Sequence, residues 1–333
     1  MAKLGDFSRA FRFVSMILAL ALLFVSANAK ADEIYPNRPV RIVVSFSAGG
    51  PTDIVGRIFA QKLSELLGQQ FYVENKVGAG GNIGADQVAK SSPDGYTLLV
   101  ATVSTHAINP GLYSKMPYDP LKDFAPIAHV GITPSTLNVH PSIPAKDVKE
   151  LIALVRANPG TYTYGSSGLG SILHLCGEQF KALAGGLEIQ HVPYRGSAPM
   201  MGDLVGGQIS MAFDGTPTAL PQIQSGAIRA VGAGMAERMR AMPELPTLQE
   251  QGLKGFECYT WNAILAPAGT PAPIIARLSA AMTEILREAD VVEKFNLLGA
   301  EAVAMSPEEL RKYLAAEDAT WMPIVRKANI KAD

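Results

Sequence analysis

A short run of β-branched residues, then a glycine-rich turn, then a helical stripe: this succession recurs along the chain and constrains its fold more than any other feature. Val40-Arg41-Ile42-Val43-Val44-Ser45-Phe46 is nearly continuous in β-branched and aromatic residues, as a strand buried on both faces must be. It stops at Ala48-Gly49-Gly50-Pro51. Beyond it Ile54, Val55, Ile58, Phe59, Leu63, Leu66 and Leu67 fall on one helical stripe, with Thr52 or Asp53 as N-cap and Gly68 as stop. The same grammar predicts a strand over 71–74, a turn at Gly78-Ala79-Gly80-Gly81, a helix over 82–90 and a strand over 96–101.

A second series starts beyond residue 130. It reads as a helix over 144–157, a strand over 161–164, a glycine-serine turn over 165–170 and a helix over 171–184. A strand over 189–193, a helix over 198–205, a strand over 208–213 ending at Asp214-Gly215 and a strand over 227–233 complete it. A strand over 261–266 leads through Thr270-Pro271 into a helix reaching about residue 289, and Ser306-Pro307-Glu308-Glu309 is a capping box for the last helix. Strands alternating with helices predict a parallel-rich α/β sheet. The final helices have no neighbouring strand in sequence to cover, so they are expected to pack back on the first series.

The amino-terminal segment has another purpose. Lys3, Arg9 and Arg12 precede an apolar run over 13–25 that ends in small residues with overlapping A-x-A sites, the pattern of a secretory signal peptide. Its apolar core of about 13 residues is short of the ~20 that span a bilayer. Cleavage before Lys30 or Asp32 is expected, with Asp32 preferred. Without residues 1–31 the chain keeps about 25 basic and about 29 acidic residues, a net charge of about −4. Such a balance offers nucleic acid or an anionic membrane no general attraction. With 48% hydrophobic residues over 333 positions, the expectation is two domains. The two cysteines, Cys176 and Cys258, would meet an oxidising compartment, yet one possible pair is no framework, and two buried, unpaired thiols are the expected state.

Each glycine-rich turn joins the carboxyl end of a strand to the amino end of a helix, where free backbone N–H groups and the helix dipole attract an anion. In open α/β sheets ligands bind at that edge. Ser47-Ala48-Gly49-Gly50 and Gly165-Ser166-Ser167-Gly168-Leu169-Gly170-Ser171 add hydroxyls to such donors. If they sit on opposite lobes, they face one cleft. Gly78 to Gly84 offers no hydroxyl and matches no phosphate-binding pattern. Ser104, Thr105 and His106 follow a strand and can line the same edge, and Asp214 follows another, where it could meet an amine or hydroxyl or stabilise its own turn. Asp53 reads better as a first-turn helix charge than as a ligand contact.

Enzyme chemistry finds little support. Ser171 and His174 are three apart and could touch on a helix, but no nucleophile elbow surrounds the serine and no third orienting group is identifiable. The five histidines show no metal-ligand spacing. Neither a metal nor a cofactor is expected.

In order along the chain, Ser45-Phe46-Ser47-Ala48-Gly49-Gly50 with Asp53, Val73-Glu74-Asn75-Lys76 with Gly78 to Gly81, and Pro93-Asp94-Gly95-Tyr96 are followed by Tyr164-Gly165-Ser166-Ser167-Gly168 with Gly170, Ser171 and His174. His191-Val192-Pro193-Tyr194-Arg195-Gly196, Phe213-Asp214 and Ala266-Pro267-Ala268-Gly269-Thr270-Pro271 continue the series to Asn329-Ile330-Lys331. This succession resembles the Bug family, the substrate-binding receptors of tripartite tricarboxylate transporters. The resemblance implies a two-lobed, type II-like periplasmic binding protein, each lobe a mostly parallel sheet flanked by helices, with crossover segments near residues 130 and 258. Its plan would be a signal peptide over 1–31, one discontinuous lobe over 32–131 and 259–333, and a second lobe over 132–258. It implies a monomeric periplasmic receptor that captures a small carboxylate (a di- or tricarboxylate, an amino acid or an aromatic acid) for membrane permease subunits, or hands its occupancy to a signalling partner. Carried over residue by residue, the ligand would meet Phe46, Ser47, Ala48, Gly49 and Gly50, then Ser166 to Ser171, then Asp214. Loop backbone, hydroxyls and ordered waters would hold the carboxylate, with no arginine clamp. Cys176, where relatives usually have a small residue, and Asn262, in a stretch more often carrying glycine, depart from the pattern.

Overall fold

Burial on both faces is what the first strand's composition demands. In the computed structural model, which describes residues 35–328, β1 (Val40–Val44) has Val40, Ile42, Val43 and Val44 fully enclosed. The signal peptide, its cleavage sites and the Asn329-Ile330-Lys331 end lie outside the described residues. Helix α1 (Pro51–Leu67) follows, burying Val55, Phe59 and Leu63. Its N-cap is Gly50, not Thr52 or Asp53, because Pro51 already occupies the first helical position. Gly68 ends it as expected, in the left-handed region, with its N–H on Ser64 O at 3.1 Å.

β2 (Phe71–Asn75), α2 (Asn82–Ala89) and β3 (Thr97–Thr102) complete the first series. β1 pairs in parallel with both β2 and β3. The chain then passes through a wide buried turn over Ser104–Ile108 and enters β4 (Phe124–Val139), sixteen residues long and almost wholly buried. Sequence reading misses this strand, because Pro126, Gly131 and Pro134 interrupt its pattern. The structure accommodates them with register shifts at Pro126/Ala128 and His129/Gly131.

The second series holds α3 (Val148–Ala157), β5 (Thr163–Ser166), α4 (Ile172–Leu183), β6 (Gln190–Pro193), α5 (Ser197–Val205), β7 (Met211–Gly215), α6 (Thr216–Gln224) and β8 (Arg229–Ala233). Asp147 and Ser171 cap α3 and α4, accepting from Glu150 N at 2.8 Å and His174 N at 3.3 Å. α6 was not apparent in the sequence. β9 (Tyr259–Pro267) then leads to α7 (Ala272–Ile285), α8 (Ala289–Leu297) and α9 (Pro307–Ala328). The single helix expected over 270–289 stops at Ile285, and α8 starts anew after it. Ser306 and Glu309 form the capping box before α9.

The strands form one curled mixed sheet, in the order β2-β1-β3-β9-β4-β7-β5-β6, with β8 on β4. Its two halves repeat one plan. Three parallel strands, β2-β1-β3 or β6-β5-β7, end on an antiparallel pair that involves β4. β4 belongs to both, pairing over 124–134 with β9 and over 135–139 with β7 and β8. From Arg38 onward the described residues form one compact unit. α9 does not cover the first series alone: it packs on β4, on the turn over 104–108 and on α4. No helix among the described residues is long and apolar enough to cross a membrane.

The expectation of free thiols is corrected. Cys176 on α4 and Cys258, just before β9, form a disulfide with their Cα atoms 5.6 Å apart. Only the packing of α4 on the segment entering β9 brings them together, across 82 residues of sequence. Closing a loop of that length restricts the unfolded chain by about 4 kcal/mol. The double variant Cys176→Ala/Cys258→Ala is therefore expected to melt roughly 10 °C lower by calorimetry, and an unchanged midpoint would show the bridge to be thermodynamically idle.

Candidate functional site

The loops after β1 and β5 occupy equivalent positions in the two halves and meet at the seam. Phe46, Gly50, Pro51 and Thr52 from the first, with Ser167, Ile172 and Leu173 from the second, line one cavity of about 30 Å³. Thr102 and Ser104 at the end of β3, Ser197 and Gly215 at the starts of α5 and α6, and Ser135 and Thr260 on β4 and β9 complete it. Ile172 N donates across the seam to Ser104 Oγ at 3.0 Å. No charged side chain lines the cavity. The Thr102 hydroxyl is buried and has no protein partner, so it is one polar group an occupant would satisfy.

Of the residues singled out in the sequence, Phe46, Gly50, Ser104 and Ser167 line this cavity. The others stand around it. Ser47 lies against Gly196 across the seam, with a buried hydroxyl lacking a partner. Ala48 and Gly49 are exposed. Asp53 sits behind the first loop, accepting from Gly49 N at 2.8 Å, Arg57 Nε at 2.8 Å and Asn75 Nδ2 at 2.9 Å. Burial alone would raise its pKa, but these bonds outweigh it and hold the carboxyl below the usual range. Thr105 is buried, bonded to Thr102 and to the His106 ring.

Four more, Ser166, Gly170, Ser171 and His174, build the second loop from within. Ser166 Oγ lies 2.7 Å from His191 Nε2 and accepts from Gly168 N at 3.2 Å. Gly170 N donates to His174 Nδ1 at 3.2 Å. The two imidazoles stack at 4.0 Å, 8° from parallel, and Tyr164 stacks on the far side of His191. Burial pushes His174 down to about 4 and His191 to about 3, so both are neutral near pH 7 and the loop carries no net charge. Ser171 Oγ serves the backbone N–H of His174, whose ring acceptor is already engaged by Gly170, so the geometry does not form a serine–histidine couple. Among the described residues no three His, Cys, Asp or Glu side chains cluster to hold a metal.

The seam residues Thr52, Thr102, Ser135, Ser197, Gly215 and Thr260 escaped sequence reading. They are lone hydroxyls and one glycine, Ser135 inside β4 and the others at or near element ends, which the pairings of β4 and β9 bring together. Asp214 lies directly behind Gly215. It is fully buried, with Oδ2 accepting from Thr218 at 2.5 Å and Oδ1 unpartnered. Burial raises its pKa to about 6, outweighing the opposing pull of the Thr218 hydrogen bond.

That shift has a sign. Because the folded pKa of about 6 lies above the ordinary 3.8, the native state binds the proton more tightly than the unfolded chain. This contribution is greatest below pH ~4 and is lost as pH rises toward ~6, a change of about 3 kcal/mol. Asp214→Asn, neutral throughout, is expected to melt roughly 5 °C above the ligand-free parent at about pH 7 and to lose that advantage at about pH 4. A thermal-melt difference independent of pH would show that Asp214 stays ionised.

Against this geometry stand the comparisons with known proteins. The family model described as tripartite tricarboxylate transporter family receptor matches residues 55–330. Protein BugT of Bordetella pertussis is 37% identical over 313 residues, covering 94% of this chain and 95% of BugT. A structure of an R. palustris protein with adipate is 38% identical with a TM-score of 0.86, covering 89% of this chain and 99% of that one. MatC from Rhodopseudomonas palustris with bound malate is 34% identical with a TM-score of 0.83, covering 87% and 100%. The fold, the seam cavity and these likenesses agree: the chain belongs to the Bug family of tripartite tricarboxylate transporter receptors, solute-binding proteins of the periplasmic binding protein fold.

Proposed function

We propose that the protein is a periplasmic receptor that closes two lobes, residues 32–131 with 259–333 and residues 132–258, around one carboxylate group of a small metabolite and presents it to membrane permease subunits without chemical change. One observation carries this reading: seven hydroxyl-bearing residues, Thr52, Thr102, Ser104, Ser135, Ser167, Ser197 and Thr260, line from both halves a cavity with no charged wall. Hydroxyls in a site shielded from water can each contribute about 1.5 to 3 kcal/mol to an anion as charge-assisted hydrogen bonds. The adipate and malate held by similar proteins fit this chemistry. A cavity that needs both walls also explains how ligand and closure are coupled, since an anion bound by both halves favours the closed state over the open one.

Ligand-dependent stabilisation tests the site. At a carboxylate concentration a hundred times its Kd, the parent gains about 2.7 kcal/mol. Ser167→Leu and Ser104→Val are each expected to lose most of that gain in thermal melts. Unchanged stabilisation in both would remove the cavity from the binding site.

Closure has its own test at Gly215. Its φ is an ordinary −68°, so alanine strains no backbone, but an added Cβ would lie 2.8 Å from Pro51 Cγ on the other half and 3.1 Å from Thr133 Cγ2. Gly215→Ala is expected to fold like the parent, bind at least about tenfold more weakly and keep a larger radius of gyration by small-angle scattering in saturating ligand. Parent-like compaction at parent-like affinity would show that the halves do not approach at this point during binding.

A further inference from the structure

The disulfide joins two walls of the seam cavity from behind. Ile172 and Leu173, in the first turn of α4, line that cavity, and Cys176 follows Leu173 by about one turn of the same helix. Thr260 lines it too, two residues beyond Cys258 at the start of β9. Without the bridge, the covalent path from Leu173 to Thr260 runs through most of the second half. Through the bridge it is one turn of helix, a pair of sulfurs and a short stretch of strand. Neither cysteine lines the cavity itself.

Both ends of this link are fixed. Cys258 N donates to Gly234 O at 2.7 Å, its carbonyl accepts from Ser135 N at 3.1 Å, and Gly234 N donates to Ser135 O at 2.8 Å, so the residue is woven into the crossover. Cys176 is buried, and its neighbour Gly177 lies so close to Tyr164 that there is no room for a Cβ between them. The body of α4 is thereby pressed on β5. Its first turn has less support. The loop leading into it passes through positive φ at Gly168 and Gly170, which lets the backbone turn without setting where the helix lies. Across the seam the turn is met by the hydrogen bond from Ile172 N to Ser104 Oγ at 3.0 Å. Yet the wall of a cavity of about 30 Å³ must be placed closely, because an error of about 1 Å spoils the hydrogen bonds to an occupant.

Resting on the reading of this cavity as the carboxylate site, we propose that Cys176 and Cys258 are positioning residues for ligand capture. Their bridge carries the geometry of the crossover into the α4 wall, and holds Ile172 and Leu173 at the spacing from Thr260 that a bound carboxylate requires. The cysteines touch no ligand and undergo no chemistry in this role. It is separate from their effect on stability, which acts through the unfolded chain and depends on the length of loop closed, not on what the bridge lies behind.

Titration calorimetry on the mature protein at about 10 °C, with folding checked by circular dichroism, separates positioning from stability. The probes are malate, adipate, citrate and glutamate. For those that the parent binds, Cys176→Ala/Cys258→Ala is expected to bind about tenfold more weakly. Leu151→Ala, which removes fully buried bulk from α3 and lowers stability by a comparable amount, is expected to bind like the parent. Equal affinity in all three proteins, or equal weakening in the two variants, would overturn the positioning role while leaving the carboxylate cavity intact. Hydrogen exchange on the parent needs no variant and gives a second reading. The Cys258 amide, outside the cavity, is expected to gain protection with ligand together with the amides of Leu175 and Cys176, and by more than the amides of β7 gain. Protection of α4 without Cys258 would show that the bridge transmits nothing and would also overturn the role. Failure of all four probes to bind the parent would overturn the cavity reading, and this inference with it.

Discussion

The antiparallel pairing of β4 with β9 is the constraint on which the rest of the structure depends. One strand of sixteen residues serves two sheet halves in succession, and its partner enters beside it where the first half begins. Every parallel strand is registered, directly or through a neighbour, to this pair. Because both halves repeat the same plan about it, the loops after β1, β3, β5 and β7 reach one seam. The bend comes from two register shifts and from Gly131, where a Cβ would lie 2.5 Å from Glu301 O. The close approach has a reason: Ile132 and Glu301 exchange both backbone hydrogen bonds, each at 2.9 Å, so the segment before α9 is stitched to the crossover. A side chain at 131 would separate them.

Behind the seam, buried polar groups are paired with unusual economy. Glu317 of α9 is 5% exposed and accepts from both Trp261 Nε1 of β9, at 2.5 Å, and Trp321 Nε1, at 2.9 Å. The Trp261 indole thus fastens the last helix to a crossover strand while Trp321 bonds the same carboxylate within the helix, and losing either would leave a buried carboxylate short of a partner. The second loop is supported in the same way, by Ser166 on His191, His191 between two rings, and Tyr164 on Glu178 with Lys181 beyond. Asp214 is the contrast. It faces no cation, its causes of shift are burial and hydrogen bonds alone, and it sits where a bound anion would discourage its ionisation.

How much of this the sequence disclosed follows from how local each signal is. β1, α1 and the cap at Gly68 were legible because their periodicity and stop residue lie within one short window. The glycine-serine turns were expected to face one cleft, and Phe46, Gly50, Ser104 and Ser167 line one cavity. β4 was hidden because prolines and a glycine normally break a strand, and only its long-range partners make them tolerable. Ser135, Ser197 and Thr260 were hidden for the related reason that a lone hydroxyl acquires meaning from what it faces. The disulfide was invisible because a spacing of 82 residues encodes no distance. Ser171 and His174, three apart in sequence and judged unlike a catalytic pair, prove to be a helix cap and a ring stack.

The contacts across the seam bear on the proposed closure of the two halves around a small anion. Among the described residues the ion pairs stay within one half or the other. What crosses includes Ile172 N on Ser104 Oγ, Thr216 Oγ1 on Gly299 O at 3.0 Å, close approaches at Gly196 and Gly215, and the packing of α9 on α4. Hydrogen bonds of this kind are each worth about 0.5 to 1.5 kcal/mol net. In the proposed closure, a ligand bonded to both walls would favour the closed state by its differential affinity, and about 5.5 kcal/mol moves a population from one part in a hundred to ninety-nine. A seam held by salt bridges would close whether or not it was filled, and occupancy would then leave no mark on the surface that a partner reads.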